Sequence, residues 1–220
     1  MNKTLNINVS FNHVIPLQIF KSEESMNGII LGLHGYAQMA ESMDAPLKSL
    51  AGNSFDYCSL QAPHLFTTPN NSYVSTWMNR KNRDLHVDYQ IEYFNNFNDQ
   101  LCQNAYDKTL KIGFGFSQGA SSLYRMVFLS KLKIKLAIIY AGDIPPEIKS
   151  LNHSETHEIE TKFILVHGDE DNVMTAEKIK EDTNWLKENN FNVELINYSG
   201  NHTIDTVALN SVSNHIGKLL

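Results

Sequence analysis

Cysteine is nearly missing from this 220-residue sequence: Cys58 and Cys102 are the only two. They can pair at most once and match no metal-ligand spacing, so a disulfide-stapled scaffold and a zinc module are excluded, and the thiols read as reduced packing residues. Long apolar runs are absent as well. Nothing approaches the ~18 to 20 consecutive apolar residues of a membrane span, and Met1 to Phe20 lacks an apolar stretch of signal-peptide length. The expectation is a cytoplasmic protein without stable membrane insertion. Positive charge is also short, with 18 Lys and Arg against 24 Asp and Glu and a net charge of −6. The charges are interspersed, so no basic stripe tracks phosphates and nucleic acid is not an expected partner.

What is present suits a core. The chain is 42% hydrophobic and 10% aromatic, enough for one domain spanning 1–220. Short apolar runs at 28–33, 55–60, 134–140, 163–166 and 193–198 alternate with stretches of helical periodicity, including 43–50, 89–106 and the segment from Ile204 to Leu219. That alternation predicts an α/β fold with a mainly parallel central sheet and helices on both faces. Before it, Leu5 to Phe11 and Val14 to Phe20 read as an edge hairpin. Residues 61–88 show no clear period, and so long a connection reads as a functional loop or partial cover. Its Phe66, Tyr73, Trp77 and Met78 either line an acyl-accepting groove or pin the loop to the body. The polar stretch 147–160 reads as a solvated connector, and its His153 and His157 as solvated side chains rather than metal ligands.

The most informative stretch is Gly115-Phe116-Ser117-Gln118-Gly119, which follows an apolar strand and opens a helix. A GxSxG pattern in that context is a nucleophile elbow: a very sharp turn that lifts the serine hydroxyl above the sheet. Strand and helix nearly touch there, so the two glycines answer a lack of room for Cβ atoms. The backbone N–H of Gln118, at the helix start, points to the same space as an anion donor. A second strand ends in Leu33-His34-Gly35-Tyr36-Ala37, the position from which this architecture draws its other oxyanion donor, assigned to the N–H of Tyr36. His34 itself is expected to shape the turn through backbone hydrogen bonds.

In parallel sheets reactive groups gather beyond the carboxyl ends of the strands. Ser117, Asp171 and His202 each follow such an end, in the chain order Ser, Asp, His. A serine hydroxyl is a poor nucleophile, so an imidazole must take its proton and a carboxylate must hold that imidazole in the right tautomer. Asp143 and Asp169 compete with Asp171 for the last role. The letters Ser199-Gly200-Asn201-His202 are an accidental match to the name of an unrelated hydrolase superfamily; His202 matters for its place.

Leu33-His34-Gly35, Gly115-Phe116-Ser117-Gln118-Gly119-Ala120, His167-Gly168-Asp169-Glu170-Asp171 and Gly200-Asn201-His202 together resemble the carboxylesterase/phospholipase family of small α/β hydrolases, which includes acyl-protein thioesterases. Gln61-Ala62-Pro63 and Trp77 are similar to the same family. The resemblance covers residues 28 to the end and implies an α/β-hydrolase fold and a cofactor-free serine hydrolase acting on small-molecule carboxylic esters or thioesters. Lysophospholipids and acylated protein cysteines are the alternative substrates, and a silent ligand-binding homologue is the alternative class. The triad carries over to Ser117, Asp171 and His202. Ala37 departs from the family pattern, which commonly has glycine there, and this puts the shape of the oxyanion loop in question.

Overall fold

The computed structural model describes residues 14–23 and 27–217. Six strands form one parallel sheet: β1 (Gly28–Leu33), β2 (Asp56–Leu60), β5 (Leu110–Phe116), β6 (Leu136–Tyr140), β7 (Lys162–Gly168) and β8 (Val193–Tyr198), in the order β2-β1-β5-β6-β7-β8. The chain runs outward from β1 to β2, then returns to place β5 on the other side of β1 and continues to β8. The reversal between β1 and β5 is the crevice where open sheets of this kind bind ligands. Register pairs Leu33 with Gly115, so both strands deliver their following loops to the same level.

Burial on both faces explains the near-continuous apolar strands. Alternate side chains sort into two cores: Leu31, Leu33, Ile139 and Leu165 pack under α2 (Arg83–Leu101), α3 (Gln118–Leu129) and α6 (Ala176–Glu188). Ile30, Phe114, Phe116, Ile138 and Val166 pack under α1 (Asp44–Ala51) and α7 (Thr206–Gly217). The helices carry the corresponding periodic residues, such as Leu47 and Leu50 on α1 and Ala208, Leu209, Val212 and Ile216 on α7. Cys58 lies fully buried, where burial pushes its thiol up and leaves it inert, and both cysteines are unpaired.

Several expectations change. Leu5 to Phe11 lies outside the described residues. Val14 to Phe20 is not a strand; Phe20 forms only an isolated bridge with Tyr57 and stacks on its ring at 4.7 Å. Residues 61–88 are not irregular: β3 (His64–Thr67) and β4 (Tyr73–Thr76) form an antiparallel hairpin, and α2 begins at Arg83. The hairpin is too short and too polar on one side for a period to stand out. The stretch 147–160 holds two four-residue helices, α4 (Pro146–Lys149) and α5 (His153–Thr156). No helix among the described residues is long and apolar enough to cross a membrane.

The tightest point of the fold is the meeting of β1, β5 and α3. A Cβ on Gly119 would stand 2.1 Å from the Leu33 carbonyl oxygen and 2.5 Å from that of His34, and one on Gly115 would stand 2.6 Å from the Gly119 oxygen. All are backbone atoms and none can swing aside. Gly119→Ala is expected to cost about 3 kcal/mol or more, since overpacking here must push α3 away from the end of β1. Gly217→Ala, with nothing within 4 Å of the added carbon, should change stability by less than about 0.5 kcal/mol. Urea-unfolding midpoints of the two variants test the contrast; equal shifts would mean that the crowding is relieved by backbone movement.

Candidate active site

Ser117 sits between the end of β5 and the start of α3 with φ 53° and ψ −117°, a strained conformation for a side-chain-bearing residue. Its own N–H donates to Tyr140 O at 2.9 Å and its carbonyl accepts from Ala120 N–H at 3.0 Å, which hold the turn from both sides. The hydroxyl meets His202 Nε2 at 2.8 Å, and His202 Nδ1 meets Asp171 Oδ2 at 2.7 Å. With the carboxylate accepting from Nδ1–H, Nε2 is left to accept the serine proton.

Asp171 is held in the loop after β7. Its Oδ1 accepts from the N–H groups of Val173 and Met174, both at 2.8 Å, and its side chain is fully buried. Burial by itself would raise the carboxyl, but hydrogen bonds from Met174, His202 and Val173 outweigh it and hold Asp171 below the usual carboxylate range. It therefore stays ionised through neutral and mildly acidic pH.

The His202 loop has its own clamps. The single Tyr198 O–H proton is shared between the carbonyls on either side of His202, Asn201 O at 2.8 Å and Thr203 O at 2.7 Å. Tyr140 OH accepts from Asp205 N–H at 2.8 Å. Gly200 N–H donates to Asp169 Oδ1 at 3.0 Å while Gly200 O accepts from Glu170 N–H at 2.9 Å. The Phe116 ring lies 5.2 Å from the imidazole, closing its lower side. Nothing in the sequence singled out Tyr198; its only signal is its place as the last residue of an edge strand before the histidine.

The same geometry sorts the three acids. Asp169 faces Gly200 and ties the acid loop to the histidine loop, whereas Asp143 is exposed and accepts from Ser121 Oγ at 3.0 Å. Only Asp171 among them bonds the imidazole.

In the loop after β1, Gly35 N–H donates to Gln38 Oε1 at 2.7 Å and Ala37 N–H to Ser75 O at 3.0 Å. Among the described residues, the N–H groups of Tyr36 and Gln118 have no acceptor. Ala37 takes the left-handed conformation, φ 57°, that glycine would adopt more easily, so its side chain leaves the turn in place. His34 is fully buried. Its Nε2 accepts from Ala62 N–H at 3.2 Å, so Nδ1–H donates to Gly35 O at 2.8 Å. Burial lowers its pKa and keeps it neutral; it shapes the loop.

Gln118 has a second task. Its Oε1 accepts from Thr76 Oγ1 and Trp77 N–H, each at 2.9 Å, and its Nε2 donates to Met78 O at 3.2 Å. Trp77 is fully buried, donates from Nε1 to His34 O at 2.9 Å and packs on Tyr93 and Phe94. It pins the hairpin to the body. Phe66 stacks on the exposed Tyr36 at 5.7 Å, Tyr73 projects from the hairpin, and Met78 is half-buried beside Gln118. Two clefts open beside the serine and histidine. A cleft of 450 Å³ is walled by His202, Phe116, Ala45, Pro46, Ile204 and Leu209. One of 250 Å³ is walled by Ser117, Gln118, Ser121, Asp143, Val173 and Lys178. Neither of these two clefts is lined by Phe66, Tyr73, Trp77 or Met78; of the two roles open to these side chains, Trp77 takes the pinning one.

Known proteins with this architecture carry related names. The crystal structure of esterase PE8 superposes with a TM-score of 0.71 at 21% identity, covering 93% of this chain and 98% of that one. Acyl-protein thioesterase 2 of Zea mays gives 0.73 at 18%, covering 92% and 98%. The Bacillus cereus carboxylesterase gives 0.72 at 13%, covering 93% and 94%. At these identities the likeness establishes the fold. No curated protein matches the sequence. The family model described as Phospholipase/Carboxylesterase matches residues 16–220, nearly the whole chain. That match reaches from before β1 through α7 and takes in the elbow, the acid loop and the histidine loop, so the chain belongs to the phospholipase/carboxylesterase family of α/β hydrolases.

Proposed function

We propose that this hydrolase cleaves carboxylic esters of short to medium acyl chains through an acyl-enzyme intermediate on Ser117. The observation that carries the reading is the unbroken line of hydrogen bonds from Ser117 Oγ through the imidazole of His202 to Asp171. His202 takes the hydroxyl proton as Oγ attacks the ester carbonyl, and Asp171 stabilises the imidazolium that forms. The oxyanion is received by the N–H groups of Tyr36 and Gln118, whose lack of protein acceptors suits them to it. One such donor is worth about 3 to 4 kcal/mol of barrier. His202 then protonates the departing alcohol, and water repeats the cycle on the acyl-enzyme. The chemistry uses side chains and backbone alone.

Ser117→Ala is expected to lower p-nitrophenyl acetate turnover about 10⁴-fold or more with an unchanged circular dichroism spectrum. Substantial residual turnover would place the nucleophile elsewhere. A fluorophosphonate probe should label the folded wild-type protein at Ser117 in a 1:1 ratio, and failure to label would favour a silent binding homologue.

Among the acids, Asp171→Asn should reduce kcat about 10⁴-fold, because the amide can donate to Nδ1 and stabilise the wrong tautomer. Asp143→Asn and Asp169→Asn should stay within about tenfold of wild type, since an amide oxygen still accepts from Ser121 or Gly200. A loss at Asp143 matching that at Asp171 would transfer the acid role.

A further inference from the structure

The two clefts beside the serine differ in size, in polarity and in which reacting residue they touch. The larger reaches His202 without Ser117 and is lined by apolar Ala45, Pro46, Phe116, Ile204 and Leu209 together with neutral hydroxyl and amide side chains, with no Lys, Arg, Asp or Glu. The smaller reaches Ser117 and Gln118 without His202 and has a polar wall of Ser121, Asp143 and Lys178 beside Val173 and Met174. Proton bookkeeping decides which half of an ester occupies each. As the Oγ–acyl bond forms, the Ser117 proton passes to His202 Nε2. As the bond between the carbonyl carbon and the leaving oxygen breaks, that proton passes to the oxygen and the neutral alcohol departs. The leaving oxygen must then lie within hydrogen-bond reach of Nε2, so the alcohol extends along the wall that His202 forms. The acyl chain, held by Oγ and by the N–H of Gln118, extends the other way.

Resting on the acyl-enzyme reading above, we propose that the substrates are esters of short, polar acids with bulky apolar alcohols: the acid in the Ser121–Asp143–Lys178 cleft, the alcohol between α1 and α7. Volume sets the lengths. At about 30 Å³ for each water-sized group, the smaller cleft takes roughly eight heavy atoms and the larger roughly fifteen. Charge sets the polarity. Among the described residues, Lys178 Nζ donates to Val173 O at 3.3 Å and makes no ion pair, and Asp143 is exposed with one hydroxyl partner, so an alkyl chain lying there would strip water from both ends without replacing it. The wall on the other side carries no Lys, Arg, Asp or Glu: Ala45, Pro46, Phe116, Ile204 and Leu209 form its apolar part, and Gln38, Ser42, Ser49, Thr203 and Thr206 stand among them as neutral polar groups beside His202.

The test is a crossed substrate series read as kcat/KM, which reports acylation. One series holds the alcohol at p-nitrophenol and lengthens the acid from acetate to decanoate, with a hydroxyacetate beside the acetate. The other holds acetate and enlarges the alcohol from methyl through phenyl to 1-naphthyl. The expected result is a fall of tenfold or more from acetate to decanoate, no loss on adding the hydroxyl, and a rise from methyl to naphthyl beyond that of alkaline hydrolysis. Ala45→Trp should lower the naphthyl-to-methyl ratio tenfold or more and leave the decanoate-to-acetate ratio within twofold. Val173→Trp should do the reverse. If Ala45→Trp changes acyl-length preference instead, the two halves are exchanged and the proposal is wrong. If neither substitution changes either ratio while Ser117 still labels, the partition fails and the acyl-enzyme reading stands. If no ester is turned over and Ser117 does not label, the acyl-enzyme reading fails with it.

Discussion

Crowding where β1, β5 and the first turn of α3 meet is the constraint on which the rest of the molecule depends. The Leu33 and His34 carbonyls press against Gly119, and Gly119 and Ala120 press against Gly115. A looser contact would let Ser117 relax from its φ of 53° into an ordinary turn. The hydroxyl would then drop toward the sheet and away from the imidazole. The strain, of order 1–3 kcal/mol, persists because the two apolar cores on either face of the sheet fix both strands. Leu33 paired to Gly115 also brings the loop after β1 level with the elbow, so the same contact sets the serine and the N–H of Tyr36.

The histidine arrives from the far side of the sheet and needs separate fixing. An edge strand supplies it, and a loop after an edge strand has few neighbours. Three devices compensate: Tyr198 OH bridges the two carbonyls flanking His202, Asp169 takes the N–H of Gly200, and the Phe116 ring closes one side of the imidazole. The acid loop is therefore bound to the histidine loop twice, once by the Asp171 carboxylate and once by Asp169. A misplacement of the imidazole by an ångström would lengthen the 2.8 Å contact to Ser117 beyond hydrogen-bond range, and the bonds that converge on this short loop oppose such a shift.

Much of this was legible in the sequence because it depends on local chemistry. Glycines at 115 and 119 around a serine, short apolar strands, and Ser, Asp and His each just past a strand end report geometry directly. The sheet and its sequence of strands and helices followed from period alone. The hairpin did not. Its strands are four residues each, and Trp77 is fixed by bonds to His34 and Gln118, which are distant in sequence. Periodicity carries no information about such long-range polar pins, so an exposed-looking aromatic loop concealed a core residue. The competition among Asp143, Asp169 and Asp171 was open for the same reason: all three follow strands, and only the direction of each side chain separates them. Ala37 shows the converse, a sequence departure that the backbone absorbs by taking the left-handed conformation despite its Cβ.

Gln118 links these parts. Its backbone N–H faces the reacting space while its side chain makes three hydrogen bonds to Thr76, Trp77 and Met78. Gln90 on α2 adds a bond to Trp77 O at 2.9 Å, and Arg125, one helix face along from the elbow, reaches both Gln90 and Glu147. The hairpin is thus fastened to the first turns of the very helix whose start presents the N–H. A displacement of β4 would pull on the Gln118 side chain and tilt its peptide, so the hairpin is mechanically linked to the backbone N–H at the start of α3. Residues 61–88, expected as a functional loop or partial cover, thus hold a hairpin that is fastened to the elbow helix through Gln118.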